Sequence, residues 1–207
     1  MVKAVPTFAM IFGAVCALEF SVNERIRKSF GTWPGLLASG FTGAVFLTAA
    51  DHLMFRQHSG QQLQSAIKGL AGRQLFTGLS PMMMRESIFV ANVAYIGPAV
   101  GSLIKAWSGS GQTEAATNFT GRIVAGLFTT LISQPFDVLA RSLQMTLLNT
   151  KSLSMMECVA EMHHAYTSQR LRPWEHPLLR GALPRLFLAA TGGAVSGGLY
   201  DYFKVRL

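Results

Sequence analysis

Five long apolar runs divide the chain, and each is long enough to form a helix that crosses a membrane. They cover residues 4–18, 36–55, 81–104, 119–148 and 183–203. A spanning helix needs about 20 mostly apolar residues, so the pattern predicts an all-α membrane protein with five transmembrane helices. A secretory signal peptide is the alternative for the first run. Pro6 and Phe8 open that run, however, and it lacks a clear small-x-small cleavage site.

The connections between the runs alternate in length. Segments 21–35 and 105–118 are short, whereas segments 57–80 and 149–182 are long and polar. Each long connection contains apolar residues at helical spacing. These residues are Leu63, Ile67 and Leu70 in the first, and Met155, Val159 and Met162 in the second. We therefore expect spans paired by short turns, with an amphipathic surface helix in each long connection.

The composition agrees with a membrane protein and excludes two other classes. Hydrophobic residues make up 50% of the chain and charged residues only 14%, against roughly 25% charged residues in a soluble domain. This apolar content excludes a disordered chain. The net charge of +8 does not indicate nucleic-acid binding, because the basic residues lie between apolar runs rather than over one polar face. We expect no nucleic-acid partner.

The sequence contains no motif typical of an enzyme active site. No nucleophile–base arrangement and no phosphate-binding loop occur, so we predict that the protein is not an enzyme. Cys16 and Cys158 do not form a disulfide framework or a metal-ligand pattern. Glu161 and His164 have metal-ligand spacing, but a solvated helical face is the favoured interpretation. Gly97-x-x-x-Gly101 and Gly193-x-x-x-Gly197 would let helices approach closely.

Two parts of the chain repeat. Gly40, Asp51 and Arg56 overlay Gly126, Asp137 and Ser142 with a constant offset of 86 residues. Residues 76–81 likewise resemble residues 179–184, and both contain Gly-x-x-Pro. Each repeat predicts a span with an acidic residue near its end, a surface helix and a glycine turn into the next span. Internal repeats of this kind are typical of transporters.

The motifs within these repeats resemble the mitochondrial carrier family. Residues 134–144, Gln-Pro-Phe-Asp-Val-Leu-Ala-Arg-Ser-Leu-Gln, are similar to the family signature. Residues 179–185 and the closing Tyr200-Asp201-x-x-Lys204 are similar to its last even-numbered helix, and residues 3–12 to its second helix. The resemblance covers the whole chain. It implies three helix pairs around a central cavity, with a helix on the matrix side in each repeat.

The resemblance also implies a domain division and a location. Residues 1–207 form one carrier-like domain, with a partial first repeat (1–30), a second repeat (36–106) and a third repeat (117–207). The first odd-numbered helix is absent, which leaves five spans, and the two amphipathic helices lie on the matrix side. The location implied is the mitochondrial inner membrane, with several passes. No cofactor is expected, although a bound phospholipid such as cardiolipin fits the family.

The family's matrix gate is incomplete in this chain. In the family, a proline kinks each odd helix and the neighbouring acid pairs with a lysine. Pro135 and Asp137 match, but Ala140 stands in the lysine position. In the other copy Asp51 is present, whereas proline and lysine are replaced by Ala49 and Met54. Asp51 and Asp137 then need other partners, of which His52, Arg56 and Arg141 are nearest in sequence.

The gate on the opposite side is also incomplete. Tyr200, Asp201 and Lys204 match the family's aromatic–acid–x–x–basic motif. The equivalent positions in the first span are Cys16 and Glu19, and in the third Pro98 and Gly101. Lys204 therefore lacks its acid, and Asp201 is expected to face the like charge of Glu19.

Three positions correspond to the family's substrate contact points. They are Lys3-Ala4, Arg85-Glu86 and Leu188-Ala189. Arg85 and Glu86 would hold an anion in a cavity, and an arginine–acid pair at this position occurs in carriers of amino and keto acids. The alternative is that this pair is structural and contacts Asp51 or a lipid headgroup.

These departures favour a carrier-derived accessory subunit, inactive in transport, of an inner-membrane assembly such as a respiratory complex or ATP synthase. Its partners would be lipids and other membrane subunits packed where the first helix is missing. The alternative is a working carrier that exchanges a small anionic metabolite such as an amino or keto acid. A third possibility is that the chain is a fragment of a longer carrier.

Overall fold

The computed structural model describes residues 5–58, 76–108, 113–148, 153–169, 176–179 and 181–204. Within these ranges the chain is helical and contains no strand. The α-helices are α1 (Val5–Phe30), α2 (Thr32–His58), α3 (Leu79–Ala91), α4 (Gly97–Ser108), α5 (Glu114–Leu148), α6 (Met155–Ser168) and α7 (Ala182–Lys204). A π-helical turn, Asn92–Ile96, joins α3 to α4, and a 3₁₀ turn, Pro177–Leu179, precedes α7.

Three helices of the described residues are long and apolar enough to cross a membrane. They are Thr32–Met54, Leu79–Ser108 and Glu114–Thr146, and they correspond to the second, third and fourth apolar runs. The first and fifth runs form α1 and α7, of 26 and 23 residues. The all-helical prediction is therefore confirmed for the described residues, and the three apolar helices are consistent with a carrier-like membrane protein. The count of five spans stays a prediction.

Glycine turns mark the places where the two sequence repeats enter their second span. Gly78 precedes α3 with φ 86°, and Gly181 precedes α7 with φ 77°. This left-handed conformation is strained for residues that carry a Cβ. Pro81 and Pro184 follow three residues later, within the first turns of the two helices. The two Gly-x-x-Pro segments therefore share a backbone conformation.

The longest helix, α5, lies at the centre of the bundle. It contacts α3, α4 and α7, and α2 packs between α1 and α3. Two apolar clusters fill these contacts. The first contains Val15, Ala44, Leu47, Met82 and Ala140, and the second contains Cys16, Phe20, Leu36, Val90 and Val93. This packing brings charged residues of α3, α5 and α7 to one interior region.

The second predicted surface helix is α6. Its apolar side contributes Cys158, Val159 and Met162 to a cluster with Leu139 and Leu143 of α5. Its amino end is closed by a capping box, in which Ser154 accepts from the Glu157 amide and Glu157 accepts from the Ser154 amide. The amphipathic stretch with Leu63, Ile67 and Leu70 lies outside the described residues.

The capping box predicts a pH dependence for α6. The hydrogen bonds from Ser154, first from its backbone and then from its side chain, lower the pKa of Glu157. The capping contribution is then complete above the ordinary glutamate pKa and is lost as the pH falls through the lowered value. Amide hydrogen exchange in the first turn, corrected for the intrinsic rate, should accelerate over that range.

Two variants test this assignment. Glu157→Gln should remove the pH dependence of exchange, whereas Glu161→Gln, outside the capping box on the same helix, should retain it. An unchanged pH profile in Glu157→Gln would show that the cap does not control the end of α6.

Candidate functional site: an interior cavity and its ion pairs

A cavity of about 570 Å³ lies between α2, α3, α5 and α7. Small-molecule sites in proteins commonly have volumes of about 300–1,000 Å³. Three arginines and three acids of the cavity lining supply its charge. They are Arg85, Arg141, Arg185, Asp51, Glu86 and Asp137. Their formal charges cancel, so the wall holds six charged groups without a net charge.

Arg85 is the central cation of this cavity. Its Nη1 donates to Asp137 Oδ1 at 2.6 Å, and its Nε and Nη2 contact Glu86 Oε1. The side chains of Arg85, Glu86 and Asp137 are 13%, 3% and 4% exposed. Arg85 therefore binds a carboxylate of its own helix, α3, and one of α5.

The other carboxylate oxygen of Asp137 lies close to two further arginines. Arg141 Nε lies 3.2 Å and Arg185 Nη1 lies 3.6 Å from Asp137 Oδ2. Arg185 also donates to Gln134 Oε1 at 3.0 Å. We call Arg85, Glu86, Asp137, Arg141 and Arg185 the Asp137 network. It connects α3, α5 and α7 at one end of the cavity, directly after Pro135 of α5.

The two acids of the predicted matrix gate, Asp137 and Asp51, have different surroundings in the structure. Asp137 pairs with Arg141, its expected neighbour in sequence, but also with the distant Arg85 and Arg185. Asp51 is buried against the cavity. The contact found for His52 is with the Thr77 carbonyl oxygen, which lies 3.3 Å from its Nε2. Arg56 lies one turn farther along α2, and it interacts electrostatically with His52.

Two expectations about partners are corrected by these contacts. The carboxylate that contacts the Arg85–Glu86 pair is Asp137, not Asp51. Asp201 does not face Glu19; its carboxylate accepts from Arg122 Nη1 at 2.7 Å and Nη2 at 2.9 Å. The Asp201 pairing has a physical cause, since Arg122 is 1% exposed and a buried cation without a partner is strongly unfavourable. Tyr200 donates to Glu24 at 3.3 Å.

Some predicted positions lie outside the described parts of the chain. Lys3 is one of them. Lys204 and Leu188-Ala189 belong to α7, but their side chains are not described. The structure therefore places one of the three predicted substrate contact points, Arg85-Glu86, on the cavity wall.

Arg122 is a second interior cation that the sequence patterns did not single out. Its side chain is 1% exposed, and its Nε donates to the Val93 carbonyl oxygen at 3.0 Å. That oxygen lacks its helical donor, because the Gly97 amide bonds Asn92 instead. Pro98, the next candidate in the π turn, has no N–H. The π turn thus leaves the Val93 carbonyl oxygen free to accept a hydrogen bond from Arg122.

The two ion-pair groups that involve α5 occupy different levels of this helix. Arg122 and Asp137 are fifteen residues apart on this helix, a rise of about 22 Å. Arg122–Asp201 ties α5 to α7 at one level, and the Asp137 network ties α3, α5 and α7 at the other. Only the Asp137 network lines the cavity.

Comparison with known proteins gives one similarity. The chain is 24% identical over 156 residues to the mitochondrial glutathione transporter of Bos taurus. The aligned region covers 75% of this chain and 43% of that protein, so the chain spans less than half the length of its relative. No family model matches the chain, and no solved structure matches it.

This similarity supports a distant relationship to the mitochondrial carriers. It favours a carrier-related role over an enzymatic one, and it suggests a mitochondrial membrane as the location. The apolar helices agree with that location.

Proposed function

We propose that the protein is a solute carrier of the mitochondrial inner membrane that binds a small carboxylate-bearing metabolite in its interior cavity. The observation that carries this proposal is the Asp137 network on the wall of a cavity of ligand size. It reverses the order of the two functions considered from the sequence. A purely structural subunit has no need of a cavity with three arginines in its wall.

The chemistry of the wall favours a solute that carries both signs of charge. A solute carboxylate can replace Asp137 or Glu86 on Arg85, while a solute ammonium group can bind the released carboxylate. Each exchange conserves the number of ion pairs, which keeps the desolvation cost small. Amino acids and small peptides have both groups, and so does glutathione, the substrate named for the similar Bos taurus protein. A keto acid has no ammonium group, so it would bind the arginine and leave the released carboxylate without a partner.

Uptake into proteoliposomes tests the proposal. The purified protein should exchange labelled amino acids, keto acids or glutathione against the same unlabelled solute inside. Arg85→Gln should reduce the rate at least tenfold, because the loss of one charged contact to a carboxylate costs about 1.5–3 kcal/mol. The control is Arg25→Gln, which removes an exposed arginine of α1 and should leave exchange unchanged. Absence of exchange for the whole panel would contradict the proposal.

An accessory subunit of a larger inner-membrane complex remains the second candidate. It is favoured by Ala140, which is buried where the family resemblance requires a lysine, and by the saturation of Arg85 with internal acids. Native purification separates the two candidates. A subunit co-migrates with other membrane proteins of the complex, with lipid such as cardiolipin between them, whereas a carrier migrates alone.

A further inference from the structure

Glu19 is the most isolated charged group of the described interior. Its side chain lies in α1, is 0% exposed, and neither carboxyl oxygen has a hydrogen-bond partner among the described residues. Gly43 of α2 packs directly on it, so that a Cβ at Gly43 would coincide with the carboxyl group. A carboxylate buried in this way is strongly unfavourable, and such a group takes up a proton instead.

The neighbours of Glu19 do not supply a compensating charge. On its own helix, Cys16 lies one turn earlier and Asn23 one turn later, and Asn23 donates to Tyr95 at 3.2 Å. On α2 the facing residue is Gly43, which has no side chain. On α7, Tyr200 packs against Phe20 of α1 and donates to Glu24.

Two charged residues of α3, Glu86 and Arg85, interact electrostatically with Glu19. Arg85 is already held by Glu86 and Asp137, and the charges that line the cavity cancel without Glu19. An ionised Glu19 would therefore add one uncompensated negative charge beside Glu86.

We propose that Glu19 is a proton-binding site, which holds its proton while α1 and α2 are packed and releases it when they separate. Glu19 does not itself line the proposed solute cavity, although Glu86 and Arg85 of the cavity wall interact with it electrostatically. Packing of Gly43 over the carboxyl excludes water from it, and separation of the two helices would hydrate it. Closing the contact thus takes up one proton, and opening it returns that proton to water.

The protonation state of Glu19 can be observed directly. Infrared spectra of the purified protein near neutral pH should contain the carbonyl stretch of a protonated carboxyl, and Glu19→Gln should remove that band. The matched control, Glu114→Gln, changes an exposed residue of α5 and should leave the band in place. If the band is missing from the unmodified protein, or survives in Glu19→Gln, the proposal is wrong.

Thermal stability gives an independent readout. Because only the folded state holds this proton near neutral pH, stability should fall as the pH rises. Glu19→Gln is neutral and nearly isosteric, so its Tm should stay within about 2 °C of the unmodified protein, less than 1 kcal/mol, and this part of the pH dependence should disappear. Glu19→Met serves the same purpose if Glu19→Gln does not fold. Failure of both variants to fold would contradict the proposal, since it would show that the ionised group is required.

Discussion

Asp137→Asn should be among the most destabilising single substitutions in the bundle. It removes the one carboxylate that Arg85, Arg141 and Arg185 share. Breaking a buried ion pair by removing one partner costs about 3 kcal/mol or more, because the remaining charge is left uncompensated. Thermal unfolding in detergent should show a fall in Tm of about 6–12 °C.

The control for this substitution is Arg141→Gln. Arg141 binds the same carboxylate, but its side chain is 53% exposed, and solvent-exposed pairs contribute at most about 1 kcal/mol. The double variant Arg85→Gln with Asp137→Asn should be less destabilised than the two single variants predict together, because it removes both charges of the Arg85–Asp137 pair. If Asp137→Asn is as mild as Arg141→Gln, the Asp137 network does not hold the helices together.

Gly121→Ala should be the second strongly destabilising substitution. Gly121 of α5 crosses α4 at Gly97 and Gly101, and an added Cβ would overlap backbone atoms of both glycines. Backbone atoms of packed helices move only if the helices separate. We expect the free energy of unfolding to fall by about 3 kcal/mol, and Arg122, the next residue, to lose its contacts with Val93 and Asp201.

Gly198→Ala is the matched control within the bundle. Nothing lies within 4 Å of a Cβ at this position of α7, and alanine in a helix interior is favoured over glycine by about 0.5–1 kcal/mol. Gly198→Ala should therefore be neutral or slightly stabilising. If both glycine variants behave alike, the close crossing of α4 and α5 does not stabilise the bundle.

The sequence predicted those parts of the fold that depend on local pattern. Apolar length predicted α2, the helix from α3 to α4, and α5, because spans are defined by composition over one segment. Gly78 and Gly181 were predicted as equivalent turns, since the repeat aligns them. The Gly97-x-x-x-Gly101 motif indicated close packing, which Gly121 provides.

The parts that were missed depend on contacts between distant segments. Arg122 and Asp201 are 79 residues apart, and Arg85 and Asp137 are 52 apart. No local pattern selects such a partner. An arginine within an apolar run is itself a signal of function, and on that ground Arg122 and Arg185 could have been identified as site residues. The π turn, Asn92–Ile96, was also missed.

Solute binding to the purified protein tests the central claim, that the cavity receives a charged metabolite at Arg85. Tm is measured in detergent with glutathione, amino acids and keto acids over a range of concentrations. The account predicts that at least one compound raises Tm saturably, as a ligand of the folded state must, and that Arg85→Gln abolishes the rise while Arg25→Gln preserves it. No rise with any compound, or a rise that persists in Arg85→Gln, would contradict it.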